Sequence, residues 1–183
     1  MSHNMHDTDG RSYVDASVLF NWLMSDGTPS NEHASAFIKG VENGRFAVII
    51  SDLALNEFAK TIKNTLVKNG DIDPESWTKK ISNCMEKIFT LHGDVMIIPL
   101  QTSSVKHNFP FSWISSTAYN LMLKYPGRTI QNRSGRHIHR GLSTADTLHV
   151  ALACALKCSL IVTSDKDFDE VEEISCKRPE EFI

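Results

Sequence analysis

Four acidic residues stand out by the places they occupy. Asp15 follows the short apolar run Tyr13-Val14, and Asp165 follows Leu160-Ile161-Val162 after two hydroxyl residues. Glu57 falls about one turn into the helical segment that succeeds the run Phe46–Ile50, and Asp146 falls in the first turn of a helical segment opened by Ser143-Thr144-Ala145. If the apolar runs are strands, all four acids lie near the carboxyl edge of one sheet. Clustered carboxylates repel, so holding them together calls for a compensating cation. An oxygen donor set suits magnesium or manganese. Such an ion binds phosphate oxygens, activates water and steadies a leaving oxygen, and paired ions about 3.5–4 Å apart support in-line displacement. The chemistry indicated is phosphodiester hydrolysis.

Each acid also has an ordinary structural use. Asp15 suits the start of the helix that follows it, and Glu57 suits an exposed pair with Lys60. Asp146 stands three residues after Ser143, at capping-box spacing. Asp165 suits a turn. What favours a shared site is that all four repeat one relation to a strand or helix end. Competing chemistries fit less well. Asp165, Asp167 and Asp169 alternate as in a calcium loop, but the sixth position is Glu170 and the twelfth is Cys176, where glycine and glutamate are needed. A phosphatase built on paired aspartates wants a second one two residues after Asp15, and Ser17 stands there. There is no phosphate-binding glycine loop and no nucleophile elbow.

The elements that must position these acids alternate between strand and helix. Helical spacing is expected over 16–24 (Val18, Leu19, Trp22, Leu23), 31–43 (Ala34, Phe37, Ile38, Val41), the segment after Asp52 (Leu53, Leu55, Phe58, Ile62) and 75–91 (Trp77, Ile81, Met85, Ile88 and Phe89 inward). Further helices are expected over 113–123 and 145–156. Strands are expected at 46–50, 95–100, 160–162 and, weakly, 174–176. Strands separated by helices imply a parallel sheet covered on both faces, whose ligands bind beyond the carboxyl ends of the strands.

Composition bounds the rest. The chain has 183 residues, 41% of them hydrophobic, and a net charge of −3. That suits one domain with an ordinary core, and any nucleic-acid contact must come from a local patch. The expected organisation is a disordered start at 1–10 and one domain over 11–183. Cys84, Cys154, Cys158 and Cys176 show no paired CxxC spacing, which reads as reduced thiols of a cytoplasmic protein. No signal-peptide core and no membrane-length apolar run is present.

Several motifs together resemble the PIN-domain family, including the VapC-type toxins of toxin–antitoxin pairs. YVDASVL at 13–19 resembles its opening aspartate motif, SDLALNEFAK at 51–60 its glutamate segment, and STADTLHVALACALKCSLIVTSDKDF at 143–168 its long closing motif. The final RPEEFI is similar to the usual ending of the family. The resemblance implies a three-layer α/β/α fold around a parallel sheet of four or five strands. It implies an endoribonuclease that depends on magnesium or manganese. Asp15, Glu57, Asp146 and Asp165 would be its catalytic and metal-binding acids, with Asp167 an accessory ligand. Thr163 and Ser164 would contact the nucleic acid and orient the attacking water. RNA substrate, an antitoxin protein and a second copy of the chain are the partners it implies. The chain is longer than a typical toxin of this kind, chiefly at 65–90 and 101–142.

Just before Asp146 comes a basic loop at about 125–142. From Lys124 to Arg140 there are five cations (Lys124, Arg128, Arg133, Arg136, Arg140) and no acid. Arg128, Arg133, Arg136 and Arg140 are expected to hold the RNA backbone over the acidic edge, with Gly127, Gly135 and Gly141 lending mobility. The alternative is a solvated loop. His137 and His139 fit phosphate contact better than metal ligation, and His149 fits packing or the surface better than catalysis. Trp113 suits the core, with base stacking the alternative. Two other functions share these features. A non-catalytic PIN-like module that binds RNA or protein would keep the acids without taking up metal, and a receiver-like or phosphatase domain would carry an aspartyl-phosphate.

Overall fold

The structure, a computed structural model, describes residues 10–24, 27–98, 111–131 and 137–183. Five parallel strands form its sheet: Ser12–Val14 (β1), Val48–Ser51 (β2), Val95–Ile98 (β3), Leu160–Val162 (β6) and Ser175–Lys177 (β7), in the order β3-β2-β1-β6-β7. The chain builds outward from β1 through β2 to β3, then crosses back to lay β6 on the other side of β1. The strand order therefore reverses at β1, and in such sheets the crevice at that switch point is the binding place. Register is continuous across it, with Val14 opposite Val162 and Ser12 opposite Val48.

Alternation along the strands feeds two separate cores, because successive side chains point to opposite faces. Val14, Val48, Ile50 and Val162 pack with helices Ala16–Met24 (α1), Pro29–Glu42 (α2), Asp52–Lys68 (α3) and Pro74–Phe89 (α4). Tyr13, Ile49 and Ile161 pack on the other face with Phe111–Lys124 (α5) and Thr144–Ala155 (α6). The three-layer α/β/α arrangement with a parallel sheet is the one the sequence implies, and the strand count is five.

Local chemistry sets the helix boundaries. Thr28, Ser51 and Asp73 accept N-terminal amide hydrogens of α2, α3 and α4, and Pro29 and Pro74 fill first-turn positions where no amide hydrogen is needed. The helix expected over 31–43 thus begins earlier, at Pro29. Ser143 and Asp146 form a reciprocal capping box on α6. On α4 the inward stripe is narrower than the spacing predicts. Ile88 is buried but Phe89 is 59% exposed, because adjacent residues on a helix face directions about 100° apart. Trp113 on α5, expected in the core, is 45% exposed.

The arginine-rich segment contributes a two-stranded antiparallel ribbon, Arg128–Gln131 (β4) with His137–Arg140 (β5). Gly127 and Gly141 close its base. A Cβ on Gly141 would lie 2.2 Å from the Gly127 Cα, and Gly141 has φ +140°. These two glycines allow a close backbone approach that a Cβ at Gly141 would obstruct. Arg133, Arg136 and Gly135 lie outside the described residues, as does the start of the chain through residue 9.

Candidate functional site

Asp15 is the best-anchored acid. Its amide donates to the Val162 carbonyl at 3.0 Å, which extends the β1–β6 ladder by one step. The side chain is 5% exposed as a residue, and Oδ2 accepts three hydrogen bonds: from Ser17 N at 3.2 Å, Ser17 Oγ at 2.5 Å and Thr163 Oγ1 at 2.9 Å. The two hydroxyls are themselves held, since Ser17 Oγ accepts from Ser164 N and Thr163 Oγ1 accepts from Asp165 N. With Oδ2 occupied by these donors, Oδ1 is the oxygen on the side of His149, 3.8 Å from its Nε2.

Glu57 reaches the same place from α3. Its Oε2 lies 2.6 Å from His149 Nε2, and the pairing with Lys60 that helical spacing allows is not the one formed. One ligand atom from each of Asp15, Glu57 and His149 lies within 4.8 Å of the others. Asp146 and Asp165 stand outside that tight group but line the same cleft, about 340 Å³ in volume, together with Asp15, Glu57, Ser17, Asn21, Lys60 and Asn64. The four acids singled out in the sequence therefore converge. Asp167 is not among the residues lining the cleft; its amide donates to Asp165 Oδ1 at 2.9 Å, which fixes the turn after β6.

The electrostatics of the cleft are those of crowded carboxylates. Burial pushes the Asp146 carboxyl above its ordinary value, its bonds with Ser143 oppose this, and the charges of Asp165 and Asp15 push it further up. Asp146 thus fills the capping role and a cleft position together: Ser143 N donates to its Oδ2 at 2.6 Å. Among the described residues lining the cleft, Lys60 is the single Lys or Arg against four acids. A hard divalent cation fits this donor set, because carboxylate oxygens are its preferred ligands and its charge offsets their repulsion.

Thr163 is 2% exposed and its hydroxyl is directed to Asp15. Ser164 Oγ accepts from Asn21 Nδ2 at 2.9 Å. Arg128 and Arg140 have their backbones in β4 and β5. Three partners were missed by sequence reasoning or set aside: Ser17, weighed only as a phosphatase aspartate that is lacking, Tyr13 and His149. His149 is packed, as expected, but packed beneath the acids. A signal was present, since His149 stands three residues after Asp146 on one helix and Tyr13 two residues before Asp15 on one strand; each pair shares a face.

A five-stranded parallel sheet in this order, with acids gathered at its switch point, defines a class. Residues 114–174, about a third of the chain, match the family profile described as the PIN domain. Among solved structures it is similar to VapBC2 from Rickettsia felis, crystallised bound to a DNA fragment from its promoter. The identity is 11%, the TM-score 0.54, and the match spans 91% of this chain and 97% of that one. It is also similar to VapC20 of Mycobacterium tuberculosis, described as a toxin that cleaves the sarcin–ricin loop, at 13% identity and a TM-score of 0.51 over 89% of this chain and 98% of that one. No curated protein matches the sequence.

Proposed function

We propose that the chain is a PIN-type endoribonuclease that hydrolyses RNA phosphodiester bonds with a magnesium or manganese ion held by its acidic cleft. The convergence of Asp15, Glu57, Asp146 and Asp165 on one cleft carries the proposal. Asp15 and Glu57 are the principal ligands in this reading, since their oxygens fall within common coordination reach. Asp146 and Asp165 complete the anionic wall. The ion, when bound, supplies charge stabilisation for the phosphate and lowers the pKa of water. Ser17 and Thr163 keep the Asp15 carboxylate turned so that one oxygen faces the cleft. In this reading Lys60 binds a phosphate oxygen, and Arg128, Arg133, Arg136 and Arg140 bind the RNA backbone. Asp167 steadies the Asp165 turn in this scheme, and Ser164 helps to hold Ser17.

The structural neighbours extend the proposal to a cytoplasmic toxin, with an antitoxin that binds over the cleft and a second copy of the chain as partners. No helix among the described residues is long and apolar enough to cross a membrane. The test is cleavage of a mixed RNA substrate by purified protein with manganese, with EDTA, and with Asp15→Asn. Asp15→Asn should lower the rate by more than about 100-fold, the scale of losing one positioned ionisable group, while the circular dichroism stays unchanged. Undiminished cleavage in excess EDTA refutes the metal mechanism. Manganese uptake without cleavage of any RNA would instead mark a binding module.

A further inference from the structure

Beneath the acids lies a buried polar chain that links the three elements bearing Asp15, Glu57 and Asp146. His149 is fully buried on α6, with Nε2 2.6 Å from Glu57 Oε2 and Nδ1 2.7 Å from Tyr13 Oη. Tyr13 Oη is 2.5 Å from Ser51 Oγ, and Ser51 Oγ accepts the Ala54 amide as the cap of α3. Tyr13 and Ser51 are likewise fully buried. The path leaves the start of α3, crosses β1 and α6, and returns to α3 at Glu57.

The donors can be ordered from the chemistry of the end group. A carboxylate only accepts, so His149 Nε2 carries the hydrogen. In the neutral ring Nδ1 then accepts the Tyr13 proton, Ser51 donates to Tyr13 Oη, and the lone pairs of Ser51 take the Ala54 amide. Every member is satisfied with one polarity, as a buried network requires. A nitrogen that bears a hydrogen offers no lone pair to a cation, so the proximity of His149 to the acids does not make it a ligand.

We infer that His149, held by Tyr13 and Ser51, is a positioning residue that fixes the Glu57 carboxylate toward Asp15 for cation binding. Glu57 needs such a hold. It sits on the second turn of a helix, not at a strand end, and its side chain has three rotatable bonds to the carboxylate. The Asp15 carboxylate is locked by local hydroxyls, whereas the Glu57 bond to His149 comes from a helix on the opposite face of the sheet. Groups of this kind orient metal-binding side chains, and their loss weakens metal affinity by roughly 10- to 100-fold.

This inference rests on the metal-site reading above, and the experiment separates the two. In metal-free protein with ¹⁵N-labelled histidine, the nitrogen spectrum at neutral pH should show hydrogen on His149 Nε2, and Tyr13→Phe should shift Nδ1. Manganese calorimetry should then give His149→Leu a roughly 10- to 100-fold weaker affinity at unchanged stoichiometry. His149→Gln, which keeps an amide donor, should recover part of it, and Tyr13→Phe should show a smaller loss without loss of packing. Wild-type affinity in His149→Leu and Tyr13→Phe overturns the inference, as does a ring protonated on Nδ1 alone or a manganese–nitrogen coupling that identifies His149 as a ligand. If the wild-type protein takes up no manganese, the metal-site reading fails, and this assignment fails with it as a metal-positioning role even where the spectrum shows the hydrogen bond.

Discussion

Asp146 provides the sharpest separation of structural from chemical roles, because it caps α6 and lines the cleft with one carboxylate. Consider Asp146→Asn beside Ser143→Ala. The asparagine keeps a side-chain oxygen for the Ser143 amide, so the cap survives in weaker, uncharged form. It loses the favourable charge at a helix N-terminus, worth about 0.3–1 kcal/mol. Against that, it removes a charge that burial, Asp165 and Asp15 all oppose. The two effects have opposite sign, and the melting temperature in EDTA should stay within about 2 °C of wild type, since 1 kcal/mol corresponds to roughly 2–4 °C in a chain of this size. Ser143→Ala loses the cap hydroxyl, which accepts the Asp146 amide at 3.2 Å, and costs about 1 kcal/mol. It should melt roughly 2–4 °C lower.

Manganese reverses the ranking. Ligand at 100 times its dissociation constant stabilises by about 2.7 kcal/mol, or roughly 5–10 °C here. Wild type and Ser143→Ala should show that rise, and Asp146→Asn should show much less. The pH dependence has a definite sign. The carboxyl of Asp146 is raised in the fold, so the folded protein holds this proton more tightly than the unfolded chain. The resulting stability is present below the ordinary carboxylate value and is lost as pH rises through the raised one. In EDTA, wild type should therefore gain on Asp146→Asn as pH falls through that window. Differential scanning fluorimetry at several pH values, with and without manganese, measures all of this. An Asp146→Asn protein that melts below Ser143→Ala in EDTA yet keeps its full manganese response would refute the reasoning and leave Asp146 a cap only.

Packing elsewhere in the molecule has further measurable consequences. Partial burial pushes the thiols of Cys158 and Cys176 up to about 12, so at pH 8 only about one part in ten thousand of each is thiolate; mass-mapped labelling should modify both far more slowly than a free thiol until denaturant is added, and modification at the speed of a free thiol would contradict the raised values. Phe37, 1% exposed, is packed against Phe46 and Phe182 with ring centroids 5.6 and 5.0 Å away. Phe37→Ala should cost about 3–5 kcal/mol in chemical denaturation, and a loss under 1 kcal/mol would mean that the C-terminal segment does not cover α2. Gly141→Ala should lower stability because its Cβ meets the Gly127 backbone, while an unchanged melting curve would show that the ribbon base can spread.

Much of this arrangement is legible in the sequence because it is periodic. The run Leu160-Ile161-Val162 falls where β6 is found, and the spacing of Phe58 and Ile62 gives the buried face of α3. The four acids are legible because each sits at a fixed distance from such a run. What periodicity does not carry is partner choice. Glu57 has Lys60 within helical reach, yet bonds His149, 92 residues later, because the crossover from β3 to β6 brings α6 against the opposite face of the sheet. Phe89 and Trp113 show the converse. Their apolar character is plain, but whether a neighbouring layer covers them depends on packing between elements, which one segment's pattern does not encode.

The way each acid is supported bears on how the cleft would act. Asp15 extends a central strand, Asp146 is tied to a helix cap, and Asp165 opens a hydrogen-bonded turn. In each the carboxylate accepts a hydrogen bond from a nearby backbone amide, joined at Asp15 by the Ser17 and Thr163 hydroxyls, and such anchorage suits a site that holds a cation without reorganisation. The arginines differ, for Arg128 and Arg140 ride a two-stranded ribbon that, among the described residues, is separate from the main sheet. A ribbon of that size draws little stability from its own pairing. Its anchorage is the Gly127–Gly141 base beside the start of α6. If the proposed function holds, acids and cations on separate mounts would divide the work: the first would fix the geometry at the phosphate, and the second would gather RNA of differing shape through non-specific, salt-dependent contacts. Replacing Arg128 and Arg140 together by glutamine should therefore raise KM and flatten its salt dependence with kcat nearly unchanged. A fall in kcat at constant KM would place the ribbon within the reacting geometry and remove this division.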